Sequence, residues 1–186
     1  MNNDLDRALE TLKNGGTILY PTDTIWGIGC DATNNMAVMK IFDIKKRQDT
    51  RQMLILIDDA ANIHNYVLNV PDISFNFIES AQRPLSIIFQ NATNLAASLI
   101  GNDKTIGIRV VQDNFCRELI RRFGKPIVST SANISGNAPP GRFGSIDQQI
   151  KDAVDYIVLW RQNEPSQSSP SDIIKFGTDG EIVKIR

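Results

Sequence analysis

The stretch Gly15-Gly16-Thr17-Ile18-Leu19-Tyr20-Pro21-Thr22-Asp23-Thr24-Ile25-Trp26-Gly27-Ile28-Gly29-Cys30-Asp31-Ala32 changes character three times. Thr17 to Tyr20 reads as a buried strand. Pro21 ends it, because its ring fixes φ and removes the N–H a sheet ladder needs. Thr22, Asp23 and Thr24 then supply two hydroxyls and a carboxylate. Ile25 to Gly29 reads as an apolar turn with glycines one residue apart. A strand that stops sharply and opens into short polar side chains is a common way to build a small-molecule site at a sheet end. An ordinary Pro-Thr-Asp loop has the same local pattern, so the rest of the chain must decide.

Working outward, helices and strands alternate. Residues 4–14 place Leu5, Ala8, Leu9 and Leu12 at helical spacing, with Gly15 as the stop. A second helix is expected over 35–46, with Met36, Val38 or Met39, and Ile41-Phe42 turned inward. Met53 to Ile57 is an apolar run of strand length, expected to be buried on both faces. Helical stretches are expected at 58–68, at 71–80, near Leu95 and Leu99, and over 114–123. Strands are expected at 86–89, 106–111, 126–133 and 156–159. Ser145-Ile146-Asp147-Gln148 has the spacing of a capping box. Two strands around Gly177-Thr178-Asp179-Gly180 suggest a closing hairpin. Short loops join some of the strands, so the sheet is expected to be mixed and the class α/β or α+β. The 186 residues are read as a single domain.

Composition excludes several classes. Net charge is −1, so any polyanion surface must come from local clustering of Lys and Arg. Cys30 and Cys116 lie far apart with no CxxC spacing, and read as reduced thiols of a cytoplasmic protein. No apolar run approaches a membrane span. One histidine, His64, leaves little scope for a His-rich metal site or a His-dependent triad. There is no GxxxxGK[ST] loop, no complete dinucleotide fingerprint and no GxSxG elbow.

Three further features carry chemistry. Lys45-Lys46-Arg47 and Arg51 form a basic segment interleaved with Asp43 and Asp49. It is either a solvated helix end or a clamp for a polyphosphate. Arg109 sits in a strand otherwise made of Ile, Gly and Val. Inside such a strand it must reach solvent or pair with an anion, either an internal Asp or a substrate carboxylate. Ser129, Ser131 and Asn133 alternate, so all three share one face of a strand end. They are either a site edge or the polar face of an edge strand.

Taken together, these motifs resemble the YrdC/TsaC family of threonylcarbamoyl-AMP synthases over nearly the whole chain. The resemblance rests on Tyr20 to Ala32, Lys45-Lys46-Arg47, Thr105-Ile106-Gly107-Ile108-Arg109, Ser131-Ala132-Asn133-Ile134-Ser135-Gly136 and Pro170-Ser171-Asp172-Ile173-Ile174. Gln48, Gln52 and Asp172 depart from the family's usual residues. The resemblance implies a twisted, largely open mixed sheet with flanking helices and a concave basic face. It implies that L-threonine, bicarbonate and ATP, the last with Mg²⁺, give threonylcarbamoyl-AMP and pyrophosphate. That product serves threonylcarbamoyladenosine formation on tRNA, with other tRNA-modification proteins as partners.

Residue by residue, the resemblance directs Thr24, Arg109, Ser129 and Ser171 toward threonine. Arg47, Arg51, Thr105, Ser131, Asn133, Pro139 and Arg186 are directed toward ATP. Lys45, Arg47 and Arg109 are expected to stabilise charge during the reaction. An RNA-binding paralogue of the same fold without the activity is the competing reading. A domain acting on another carbamoyl adenylate is a third.

Overall fold

The computed structural model describes residues 1–46, 53–100, 103–164, 169–176 and 181–186. Its centre is a nine-stranded mixed sheet. The strands are β1 (Ile18–Tyr20), β2 (Gly27–Gly29), β3 (Leu54–Ile57), β4 (Leu85–Phe89) and β5 (Ile106–Val110). They continue as β6 (Ile127–Ser131), β7 (Tyr156–Ile157), β8 (Asp172–Phe176) and β9 (Ile182–Lys184). Their spatial order is β7-β1-β2-β6-β3-β5-β4-β8-β9, which leaves the sheet open at both ends. Parallel pairs join β1 to β7, β3 to β5 and β4 to β8, and the other neighbours are antiparallel.

Among the described residues five α-helices flank the sheet: α1 (Asn2–Lys13), α2 (Asn35–Ile44), α3 (Ile73–Ser80), α4 (Asn114–Phe123) and α5 (Gln148–Ala153). Period-two alternation sorts the strand side chains between two cores. Leu5, Leu12, Phe115 and Leu119 of α1 and α4 pack on Ile18, Tyr20, Leu56 and Ile127. Val38 and Ile41 of α2 join Leu19, Ile28, Ile55, Ile57 and Val128 in the larger core on the opposite face. Leu56 and Ile127 therefore look one way, and Ile55 and Val128 the other.

The α1/α4 face is only half covered, and this places the site. On β6, Ile127 is under the helices, while Ser129 and Ser131 on the same face line an open cavity. On β3, Leu56 is under the helices and Leu54 lines the cavity. The switch from apolar to hydroxyl along one face of β6 marks the point where helix cover ends.

Several expected elements are corrected. Gly27 to Gly29 is a strand, not a turn: β2 is inserted between β1 and β6. Met36 and Met39 are exposed, at 79% and 45%, while Ala37, Val38, Ile41 and Phe42 form the buried stripe. The stretch 58–68 is reduced to a 3-10 segment, Ala60–Asn65, capped by the Asp59 side chain on the Ala61 N–H. Residues around Leu95 and Leu99 make turns instead of a helix. Asp147, not Ser145, caps α5, accepting from the Gln149 N–H. Ile73 is half-exposed, and on α3 the buried residue is Ser74, whose hydroxyl donates to the Pro71 carbonyl. β8 and β9 do pair antiparallel, while residues 177–180 between them lie outside the described residues.

Candidate active site

The site is a cavity of about 430 Å³ at the uncovered half of the sheet. Its walls are the segment after β1, the ends of β3, β5 and β6, the loop after β6, and the segments flanking β8 and β9. Lys45, Arg109 and Arg186 supply positive charge, Thr24, Ser129, Thr130, Ser131, Ser135 and Ser171 supply hydroxyls, and no carboxylate is in the described lining. A cavity of this composition suits an anionic, hydrogen-bonding ligand.

Thr24 is fixed by its neighbour. The Thr22 hydroxyl lies 2.8 Å from the Ile25 carbonyl, accepts from the Thr24 N–H at 3.1 Å, and lies 2.9 Å from the Thr24 hydroxyl. If the single Thr22 hydrogen goes to the Ile25 carbonyl, the Thr24 hydroxyl is the donor between the two. The lone pairs of Thr24 are then presented as acceptors. Thr22 is 3% exposed. Sequence reasoning gave it no role, although it stands beside Thr24 in the same motif.

Arg109 is 3% exposed on β5. Its Nη2 lies 2.9 Å from Asp23 Oδ1 and 3.5 Å from Thr22 Oγ1. Arg109 Nε is buried without a hydrogen-bond partner, as is Asp23 Oδ1, so the two charges meet at ion-pair distance without a well-aligned hydrogen bond. The internal-Asp reading of Arg109 is met by Asp23. The arginine also lines the cavity.

Lys45 owes its position to the α2 stripe. Ala37, Ile41 and Lys45 are four residues apart, so the residue that follows the helix still faces the core. Its side chain is buried, and its Nζ donates to the Ser131 carbonyl and, at 2.7 Å, to the Asn133 carbonyl. It ties the end of α2 to the end of β6. Asn133 continues the brace: its Nδ2 donates to the carbonyls of Ile134 (3.0 Å) and Asn137 (2.7 Å), while its Oδ1 is buried without a partner. Two of the four orphaned buried atoms among the described residues, Arg109 Nε and Asn133 Oδ1, belong to cavity-lining residues.

The far wall is built late in the chain. Ser171 Oγ is 2.9 Å from Ser86 Oγ, and the Arg186 Nε donates to the Ser171 carbonyl at 3.1 Å. Trp26 forms the apolar side, 4% exposed, with Phe143 tilted against it at 4.9 Å between ring centroids. Trp26 was also missed as a site residue. It reads as core from sequence, and only the loop after β6 brings it to the cavity edge.

The structure brings Thr24, Lys45, Arg109, Ser129, Ser131, Asn133, Pro139, Ser171 and Arg186 together in this one cavity. Thr105 is placed elsewhere: it is buried at the start of β5, with its hydroxyl on Asp103 at 2.9 Å, and is not in the lining. Arg47 and Arg51 lie outside the described residues. His64 packs against Phe75 and does not line the cavity. Burial pushes the thiols of Cys30 and Cys116 up, which removes both as thiolate nucleophiles near neutral pH. No helix among the described residues is long and apolar enough to cross a membrane.

Comparison with known proteins adds an independent line. A family profile, Sua5_yciO_yrdC, described as Telomere recombination, matches residues 10–186. The threonylcarbamoyl-AMP synthase of Idiomarina loihiensis is 32% identical over 158 residues, covering 83% of this chain and 85% of that protein. The threonylcarbamoyl-AMP synthase of Pseudoalteromonas translucida is 30% identical over 182 residues, covering 95% of each. Among solved structures, P. abyssi Sua5 complexed with L-threonine superposes with a TM-score of 0.88 at 21% identity. That match covers 98% of this chain and 53% of the solved one, so this chain spans about half its length. At that identity the likeness establishes the fold.

Proposed function

The chain belongs to the Sua5/YciO/YrdC family, and on that premise we propose that it is a threonylcarbamoyl-AMP synthase, a nucleotidyltransferase acting on L-threonine, bicarbonate and ATP. The observation that carries this reading is the convergence of Thr24, Arg109, Ser129 and Ser171 with Lys45, Ser131, Asn133 and Arg186 on one cationic cavity with no carboxylate side chain among its described lining residues. The relatives' names favour the enzyme over an RNA-binding paralogue without activity.

The chemistry fits a site that lacks a side-chain nucleophile. Threonine and bicarbonate combine with loss of water to give threonine carbamate. A carbamate oxygen then attacks the α-phosphorus of ATP. The new P–O bond forms as the bond to the bridging α,β oxygen breaks, and pyrophosphate leaves with that electron pair. The protein's task is positioning and charge stabilisation. In this reading Arg109 takes the threonine carboxylate, and Thr24, Ser129 and Ser171 hold the rest of the amino acid. Lys45 and Arg47 offset phosphate charge. Arg51, Ser131, Asn133, Pro139 and Arg186 face the nucleotide, and Thr105, outside the lining, is not given a contact with it.

Mg²⁺ is proposed to enter with ATP. The described lining has no carboxylate, and no group of three or more His, Cys, Asp or Glu suited to a metal occurs among the described residues. When bound with ATP it would offset phosphate charge, beside Lys45 and Arg47, which would hold the phosphates. The product is proposed to pass to the proteins that make threonylcarbamoyladenosine on tRNA.

The test is an incubation with ATP, Mg²⁺ and bicarbonate, with and without L-threonine, read by mass spectrometry. Threonylcarbamoyl-AMP is expected only when all are present. Arg109→Ala should abolish threonine-dependent pyrophosphate release. Absence of product from the intact protein would overturn the reading.

A further inference from the structure

We propose that Asp23 is a positioning residue for substrate carboxylate recognition, acting through Arg109. The proposal rests on the synthase reading above. Both described contacts of the Arg109 guanidinium run through one nitrogen, Nη2: Asp23 Oδ1 at 2.9 Å and Thr22 Oγ1 at 3.5 Å. Nε is buried with no hydrogen-bond partner. A guanidinium offers five N–H donors in a rigid plane, so fixing one corner fixes the direction of the others. Asp23 is itself restrained. Its side chain is 7% exposed, and its Oδ2 lies 3.5 Å from the Gln112 N–H, just beyond β5. The backbone beside it is held too, since Arg161 Nη1 donates to the Thr22 carbonyl at 3.3 Å and to Asp113 Oδ2 at 3.1 Å.

Asp23 has two possible effects of opposite sign. As a counter-charge it weakens the pull of Arg109 on a second carboxylate. As a positioning group it fixes the plane of the guanidinium, so that an incoming carboxylate meets the remaining donors in a set direction. We infer that orientation outweighs neutralisation. Asp23 is buried beside Arg109, yet it is not in the described cavity lining. Its influence on ligand therefore passes through the arginine.

Asp23→Asn keeps the shape and removes the charge. The expected result is a rise of about tenfold in KM for L-threonine, with KM for ATP changed by less than about twofold. In an Arg109→Gln background the same substitution should have no further effect on threonine affinity, as required of a residue that acts through another. An unchanged or lower KM for threonine, or an equal rise for both substrates, would overturn the proposal. Should Asp23→Asn fail to fold, Asp23→Glu keeps the charge and displaces the carboxylate by one methylene. The same selective rise is then expected, and its absence is equally fatal. Isothermal calorimetry with L-threonine separates this idea from the synthase reading. If the intact protein makes no adenylate but binds threonine, the Asp23→Asn affinity still decides the proposal. An intact protein that binds no threonine overturns it.

Discussion

Gly29 is the tightest position in the wall that carries the site. A Cβ there would lie 2.6 Å from the Val128 carbonyl oxygen, 2.7 Å from Tyr20 Cε1 and 3.0 Å from Ile127 Cγ2. Two strands and a fully buried ring leave no soft neighbour to move. Gly29→Ala is expected to destabilise the protein by about 1–3 kcal/mol through overpacking, measured by urea denaturation at equilibrium. Thermal or urea stability equal to the parent would contradict the packing argument. The two glycines were legible as unusual, but their purpose was not. A one-residue spacing fits a turn as well as a strand, and only the insertion of β2 between β1 and β6 shows that close approach is the reason. Arg109 was more legible, since a guanidinium among Ile, Gly and Val must reach solvent or find an anion. What sequence could not show is that its Asp partner lies in the opening motif, on the neighbouring wall, held at one nitrogen.

Among elements, the informative comparison is between α2 and the segment that joins α5 to β7. The buried stripe of α2 is Ala37, Val38, Ile41 and Phe42, extended by Lys45. Methionine is apolar, so Met36 and Met39 read as core, yet they fall on the other side of the helix. Side-chain polarity alone therefore mis-set the stripe by a fraction of a turn. The α5 end was misread for a different reason. Several residues there can cap, and the Asp147 carboxylate is the one that accepts from the Gln149 N–H. Beyond α5, Asp155 Oδ2 accepts from the Thr17 N–H at 2.7 Å and from its hydroxyl at 2.9 Å, clamping the entry to β1. Burial pushes the Asp155 carboxyl up, but the two Thr17 donors outweigh it and hold the carboxyl below its ordinary range. A depressed folded pKa gives stability that is present above the unfolded pKa, about 4, and is lost as pH falls through the folded value. Asp155→Asn should therefore lower the melting temperature at neutral pH. The gap to the parent should close as pH falls below about 4. A gap that stays constant or widens on acidification would show that the carboxylate is not the stabilising form.

At the scale of the molecule, the cavity draws on segments from Thr24 to Arg186, so almost the whole described chain must be folded for the site to exist. The sequence revealed two walls, the opening stretch and the Ser129 to Asn133 strand end. It could not reveal the strand order, because β2 is paired with β6 and β4 with β8 across long separations that no local pattern encodes. Closure by distant segments has a thermodynamic consequence. A ligand that binds only this assembled cavity stabilises the fold as a unit, by RT ln(1 + [L]/Kd), or about 2.7 kcal/mol at one hundred times Kd. L-threonine is therefore expected to raise the midpoint of a single unfolding transition in proportion to the logarithm of its concentration. Hydrogen exchange should slow in β1, β5 and β8 together, not in one segment alone. ATP should add its own increment. In Arg109→Gln the threonine increment at a given concentration should shrink sharply while the ATP increment persists, because the nucleotide-facing residues Ser131, Asn133 and Arg186 remain. Differential scanning fluorimetry across a threonine titration reads this directly. Loss of both increments in Arg109→Gln would mean that the substitution had collapsed the cavity, and that the division of Arg109 and Arg186 between the two substrates is wrong.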